Sequence, residues 1–129
     1  MLQIDLASQI PAYEQIASGV RAMLVAGRLA AGDPLPTVRQ LAVDLGVHHN
    51  TVAEAYRQLA EEGWLELRRG RGARVLYRPS PPPPPAALAQ FARRLEELVA
   101  KAVSAGVPRA GVAAELRDSA AKVRRGVTT

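Results

Sequence analysis

The stretch Leu35–Gly72, LPTVRQLAVDLGVHHNTVAEAYRQLAEEGWLELRRGRG, decides the fold of this chain. Thr37 stands three residues before Gln40, the spacing at which a hydroxyl and an amide cap a helix start reciprocally. Val38, Leu41, Ala42 and Leu45 then recur at helical spacing, and Gly46 stops the helix. Gly46 and Val47 make a tight turn into a second helix over about residues 49–62. There Val52, Ala55, Tyr56 and Leu59 form a buried stripe, and Asn50, Ala53, Glu54, Arg57 and Glu61 lie opposite. After Gly63, Leu65 and Leu67 alternate with Glu66, the period of a half-buried strand. A second strand, about residues 73–77, returns after the turn Arg69-Gly70-Arg71-Gly72. Helix, turn, helix and a basic β-wing form a surface that fits a DNA groove and its flanking phosphates.

Working outward, a helix is expected from Pro11 to Ala26, with proline at its first position and Gly27 just past its end. Tyr13, Ile16, Val20, Met23 and Leu24 mark its buried face. Residues 28–36 are turn-rich and hold at most a short strand. Residues 79–85 contain six prolines in seven positions and read as a stiff, extended spacer. At about 3.1 Å per residue it spans roughly 20 Å. A ligand for a proline-binding domain is the other reading, and a plain spacer is preferred. Beyond it, Leu88, Phe91, Leu95, Leu98, Ala102 and Val103 line an amphipathic helix that Gly106 and Pro108 break. A further helix follows through Val112, Leu116, Ala120 and Val123, with Gly111 weakening its start. Two such helices expose more apolar surface than they can cover against each other, so Leu88, Phe91, Leu95, Leu98, Val112 and Leu116 are candidates for self-association. The expected fold is mainly α with a small β-wing: a winged helix-turn-helix followed by a two-helix dimerisation segment. The expected divisions are 1–78, a linker at 79–86, and 87–129.

Composition narrows the functions. With 129 residues, 48% of them apolar, there is room for one compact domain and a small appendage. Without cysteine there is neither a disulfide framework nor a thiolate metal site. No run of about 18 apolar residues suits a membrane span. The start, MLQIDLASQIPAYEQ, carries acids where a signal peptide needs a basic opening, so cytoplasmic residence is expected. The net charge of +5 says less than its distribution. Residues 1–80 hold nine arginines against eight acids, whereas Arg68, Arg69, Arg71, Arg74 and Arg78 crowd one segment that contains no acid. That cluster is the expected electrostatic footprint on nucleic acid.

His48, His49, Asn50 and Thr51 stand where a recognition helix meets bases. Asn50 can pair with adenine through two hydrogen bonds, and Thr51 offers a hydroxyl and a methyl to thymine. Either could instead be a capping residue. Adjacent histidines raise the question of metal, but helical neighbours diverge by about 100° and no third imidazole or thiolate exists, so no metal site is expected. Capping by His48, with His49 on a phosphate or base, is the preferred role. Arg39 reaches the DNA backbone or a base, or else pairs with an acid such as Asp44. Thr37 and Arg57 complete the docking face. Gly70 and Gly72 let the turn approach the minor groove, with Arg71 at its tip and Arg69 beside it. An ordinary basic hairpin is the plainer reading of that turn.

From Tyr13 to Val75 the chain resembles the winged-helix domain of the GntR family of bacterial transcription regulators. LPTVRQLA, the LGV turn, NTV, the AYRQLAEEGWL run and the RRGRG wing occur in the family's order and spacing. The short tail resembles the YtrA-like branch, in which a two-helix segment replaces larger ligand-binding domains and serves mainly in dimerisation. The resemblance implies a repressor, often of genes for ABC transporters. It places Arg39 on the arginine of the LPxxR element, Thr51 on a recognition-helix threonine and Gly70 on the wing glycine. His49 and Ala53 stand where some branches place base-reading arginines, and Ala73 replaces a frequent wing threonine. Operator preferences of those branches therefore do not transfer.

The resulting expectation is a homodimer that binds an inverted-repeat operator in double-stranded DNA, without a cofactor and without a membrane partner. A protein-docking module is the competing reading, and the wing arginines favour DNA over it. No nucleophile–base pair, metal cluster or phosphate loop points to an enzyme. An unidentified effector in a small apolar crevice between the tail helices is a further expected partner, although the same stripe is the preferred dimer core.

Overall fold

The computed structural model describes residues 2–70, 72–78 and 83–127. Three helices, α1 (Ala12–Val25), α2 (Val38–Leu45) and α3 (His49–Glu61), pack together beside a small sheet. The sheet comprises β1 (Pro34–Leu35), β2 (Leu65–Arg68) and β3 (Gly72–Val75), in the antiparallel order β1-β3-β2. Two longer helices, α4 (Ala87–Ser104) and α5 (Arg109–Val127), follow. The architecture is a winged helix with a helical tail.

The core forms where the apolar stripes of the three helices meet Leu65, Ala73 and Val75 of the sheet. Ile16, Val52, Tyr56 and Leu59 are its largest fully enclosed side chains. Burying a side chain of this kind contributes about 1.5–3 kcal/mol. Helix α2 begins as expected: the Thr37 hydroxyl accepts the Gln40 N–H at 3.1 Å, and the Thr37 N–H donates to Gln40 Oε1 at 2.9 Å. It ends at Gly46, whose φ of 71° lies in the left-handed region that glycine enters without a Cβ penalty.

Several expectations need correction. Pro11 is the N-cap of α1, with φ −55° and ψ 145°, and not its first helical residue. Its extended ψ turns the entering chain, and its carbonyl accepts the Gln15 N–H. Ala17 lies on the buried face of α1 in place of Met23, which is only partly covered. The returning strand spans Gly72–Val75 in place of residues 73–77; the Leu76 N–H still donates to the Trp64 carbonyl at 2.9 Å, the next rung of the same register, and Tyr77 lies past the ladder. Leu67 is 48% exposed even though it shares the sheet face of Leu65. Its neighbour across the gap on α3, Ala53, is too small to cover it.

Two arginines fasten the helices to the base of the wing. Arg21 of α1 forms a bidentate pair with Glu62, with Nε–Oε1 at 3.0 Å and Nη2–Oε2 at 2.7 Å. Hydrogen bonding from Arg21 holds the Glu62 carboxyl below its ordinary range, against a smaller opposing effect of burial. Arg78 donates from Nε to the Glu62 carbonyl at 2.9 Å, and its guanidinium lies 4.3 Å over the Trp64 ring. The tail is not detached: α5 packs against both α4 and α1. Of the proline spacer, residues 79–82 lie outside the described residues.

Candidate nucleic-acid interface

The N-terminus of α2, the N-terminal half of α3 and the wing open onto one crevice of about 470 Å³. Thr37, Arg39, His49, Gly70 and Gly72, all singled out from sequence, line it together. Each is positioned by a different local device. Thr37 is fixed as the α2 cap; its oxygen is engaged, but its hydroxyl proton remains available to an outside acceptor such as phosphate. Arg39 is exposed as the second residue of α2, and no described acid pairs with it, Asp44 included. His49 opens α3 and stacks on His48, with ring centroids 4.2 Å apart and planes inclined at 28°.

His48 itself is the α3 cap. Its Nδ1 accepts the Asn50 N–H at 3.1 Å, which decides between the capping residues that the sequence left open. Asn50 is thereby spared that duty and is exposed at the helix start, and Thr51 is half-buried beside it. Arg57 lies farther along the same helix in an ion pair with Glu54, one turn back. Among the described residues no group of His, Cys, Asp or Glu side chains could hold a metal ion.

The arginine cluster is thinner in three dimensions than in sequence. Glu66 lies just outside the arginine-rich segment, but antiparallel pairing sets it directly across from Arg74. It contacts Arg68 at 3.1 Å and Arg74 at 3.6 Å, so one carboxylate offsets part of both charges. Arg78 is committed to Trp64 and Glu62. Arg69 remains exposed at the turn with no carboxylate partner among the described residues, and Arg71 lies outside them. Gly72 also has an internal duty. At φ 76°, a Cβ there would stand 2.8 Å from the Leu35 carbonyl oxygen and 2.9 Å from that of Pro36.

Sequence reasoning missed three contributors to the crevice: Val38, placed only on the inward stripe of α2, Leu67 and Tyr56. Leu67 adds apolar surface beside Ala53, of the kind a thymine methyl meets, and its alternation with Glu66 had marked it as core. Tyr56 reaches the crevice floor from the core, and its hydroxyl donates to the Pro36 carbonyl at 2.8 Å. Burial pushes that hydroxyl's pKa up to about 12, so it stays a donor at physiological pH. Its signal was a tyrosine where the stripe needed only an apolar residue.

The family model for bacterial regulatory proteins of the gntR family matches residues 12–75, the span from α1 to the end of the wing. The HTH-type transcriptional repressor YtrA of Bacillus subtilis is 32% identical over 126 residues, covering 98% of this chain and 97% of that protein. The chain belongs to the GntR family. It is a DNA-binding transcriptional regulator of the YtrA-like kind and not an enzyme. YtrA from Sulfolobus acidocaldarius, a GntR-family transcription factor, superposes with a TM-score of 0.56 and 31% identity over 80% of this chain and 97% of its own. The DNA-binding domain of AraR in complex with operator ORX1 matches 57% of this chain and 92% of its own, with a TM-score of 0.51 and 25% identity. Within this GntR chain the family match ends at Val75, so the spacer and both tail helices lie beyond it.

Proposed function

We infer that this GntR-family chain is a homodimeric repressor that binds an inverted-repeat operator. The observation that carries the reading is the shared crevice: Arg39, His49 and the glycines of the wing converge from three elements onto one outward-facing surface. In the proposed complex α3 lies in the major groove, with Asn50, Thr51 and His49 toward base edges. Thr37, Arg39 and Arg57 lie along the backbone, and Arg69, Gly70, Arg71 and Gly72 follow the wing into the adjacent groove. Residues 1–78 would form the DNA-binding unit, 79–86 the linker and 87–129 the dimerisation segment.

The tail supports self-association. Phe91, Leu95, Leu98, Val112 and Leu116 line an apolar cleft of about 1120 Å³ between α4 and α5, and Leu88 continues the apolar face at its edge with 79% exposure. Leu88, Phe91, Leu98, Leu116 and Val123 are large apolar side chains left exposed on the tail, the kind of surface that marks an interaction site. A second copy fits it, and a small apolar effector is the other occupant the cleft would take. Repression is the role carried in the name of the Bacillus subtilis relative, and transporter genes are the targets the family resemblance implies. A regulator of the chromosome works in the cytoplasm, and no described helix is long and apolar enough to cross a membrane.

The test is fluorescence anisotropy of the purified protein on DNA upstream of its own gene, at two salt concentrations with excess competitor. Binding that resists competitor and weakens as salt rises supports an operator-specific regulator. No binding even at low salt would redirect attention to a protein partner. A reporter unchanged or lowered when the protein is removed would count against repression.

A further inference from the structure

The Pro36 carbonyl is where the three DNA-facing elements meet. Pro36 immediately precedes Thr37, the cap that starts α2 and aims Arg39. From the helix side, the Tyr56 hydroxyl of α3 donates to this oxygen at 2.8 Å. From the wing side, Gly72 packs so closely that a Cβ would lie 2.9 Å from the same oxygen. Next to it, Leu35 is paired with Ala73 of the wing strand. Reading helix, α2 start and wing thus share one fixed point, the Pro36 carbonyl, which the fully buried Tyr56 meets from the core side.

We propose that Tyr56 is a positioning residue for operator recognition, acting through the Pro36 carbonyl to hold Arg39 and the wing in one register with the reading helix. It does not touch DNA. A buried hydroxyl is not needed to fill that volume, because phenylalanine would do so equally well. What the hydroxyl adds is direction: a single bond links the middle of α3 to the residue before the α2 cap. Gly72 is the counterpart on the wing, since any side chain there would push the hairpin away from the same carbonyl. The inference rests on the operator-binding reading above.

The test uses the full chain and a duplex selected from randomised DNA by the wild-type protein, with a scrambled duplex as reference. Tyr56→Phe, Gly72→Ala, the double variant and Ile16→Val are compared for melting temperature and for the ratio of selected to scrambled affinity. Ile16→Val thins the core on α1, away from the joint, and serves as a measure of destabilisation alone. Tyr56→Phe is expected to lower the ratio by about five- to tenfold, the effect of one ordinary hydrogen bond. Gly72→Ala is expected to lower it further, and the double variant to fall short of the product of the two losses because both act at one carbonyl. Ile16→Val should melt earlier and keep the ratio. If Tyr56→Phe also melts earlier and keeps the ratio, the residue is merely structural and the proposal is wrong. Should Tyr56→Phe fail to fold, Gly72→Ala decides: an unchanged ratio there overturns the shared joint. A wild-type protein that enriches no duplex overturns the operator reading itself, a failure distinct from an operator that Tyr56→Phe binds as well as wild type.

Discussion

At the scale of single residues, Glu62 does more structural work than its place at the end of α3 implied. Its side chain holds Arg21 of α1 in a two-point contact, and its carbonyl holds Arg78 under the wing. The Arg21 contact lowers the pKa of the Glu62 carboxyl in the folded protein, so the stability it contributes is fully present above the unfolded value. That stability is lost as pH falls through the lowered folded value, where the carboxylate becomes protonated in both states. About a third of each side chain is exposed, so the pair is partly screened and is worth roughly 0.5–1 kcal/mol. Glu62→Gln should therefore lower the urea midpoint at pH 7, and the gap to wild type should close on acidification below about pH 4. Melts at pH 7, 5 and 3 check this. A gap of constant size would mean that the loss is packing and not charge.

At the scale of elements, the wing separates nominal from available charge. Five arginines in eleven positions read as one basic patch, but Glu66 contacts two of them and Arg78 belongs to the frame. Arg39 and Arg69 face outward without a described acid, so each should release about one counterion on binding DNA. Substituting either with alanine is expected to reduce the slope of log affinity against log salt by about 1. Arg74→Ala should change it much less, because removing Arg74 also frees Glu66. Equal losses for Arg39, Arg69 and Arg74 in a salt titration would refute the division. The same comparison shows what was legible in sequence. The α2 capping box, the Gly46 stop and the α3 stripe are local, period-bound signals, and all stand in the structure. Glu66 facing Arg74, the pairing of Leu35 with Ala73 and the hydroxyl contact from Tyr56 to Pro36 are not. Each joins residues eight to thirty-eight positions apart, through a strand register or a fold that no local periodicity encodes. The two-residue strand β1 is too short to show a period at all.

At the scale of the whole molecule, the proposed dimer would use the tail to set how two reading heads face one duplex. No residue of α4 is fully buried, and Phe91 and Leu98 are 61% and 65% exposed, so this helix lacks the cover that would stabilise it alone. Contact between α5 and α1 ties the same tail to the DNA-binding fold, and docking of two tails would therefore fix the spacing of two recognition helices. An inverted repeat read in successive major grooves needs that spacing near one helical turn, about 34 Å. Phe91→Asp combined with Leu98→Asp would place two carboxylates in the proposed interface while leaving the core around Tyr56 intact. Sedimentation should then show a dimer for wild type and a monomer for the variant at the same concentration, with the helix-turn-helix still folded by near-ultraviolet dichroism of Trp64. Affinity for a duplex with both half-sites should fall by at least tenfold, whereas affinity for a single half-site should hold, since a monomer gains nothing from the second site. A doubly substituted protein that stays dimeric would place the interface elsewhere. One that becomes monomeric yet binds the full operator unchanged would show that the spacing of the two heads is set by the DNA and not by the tail.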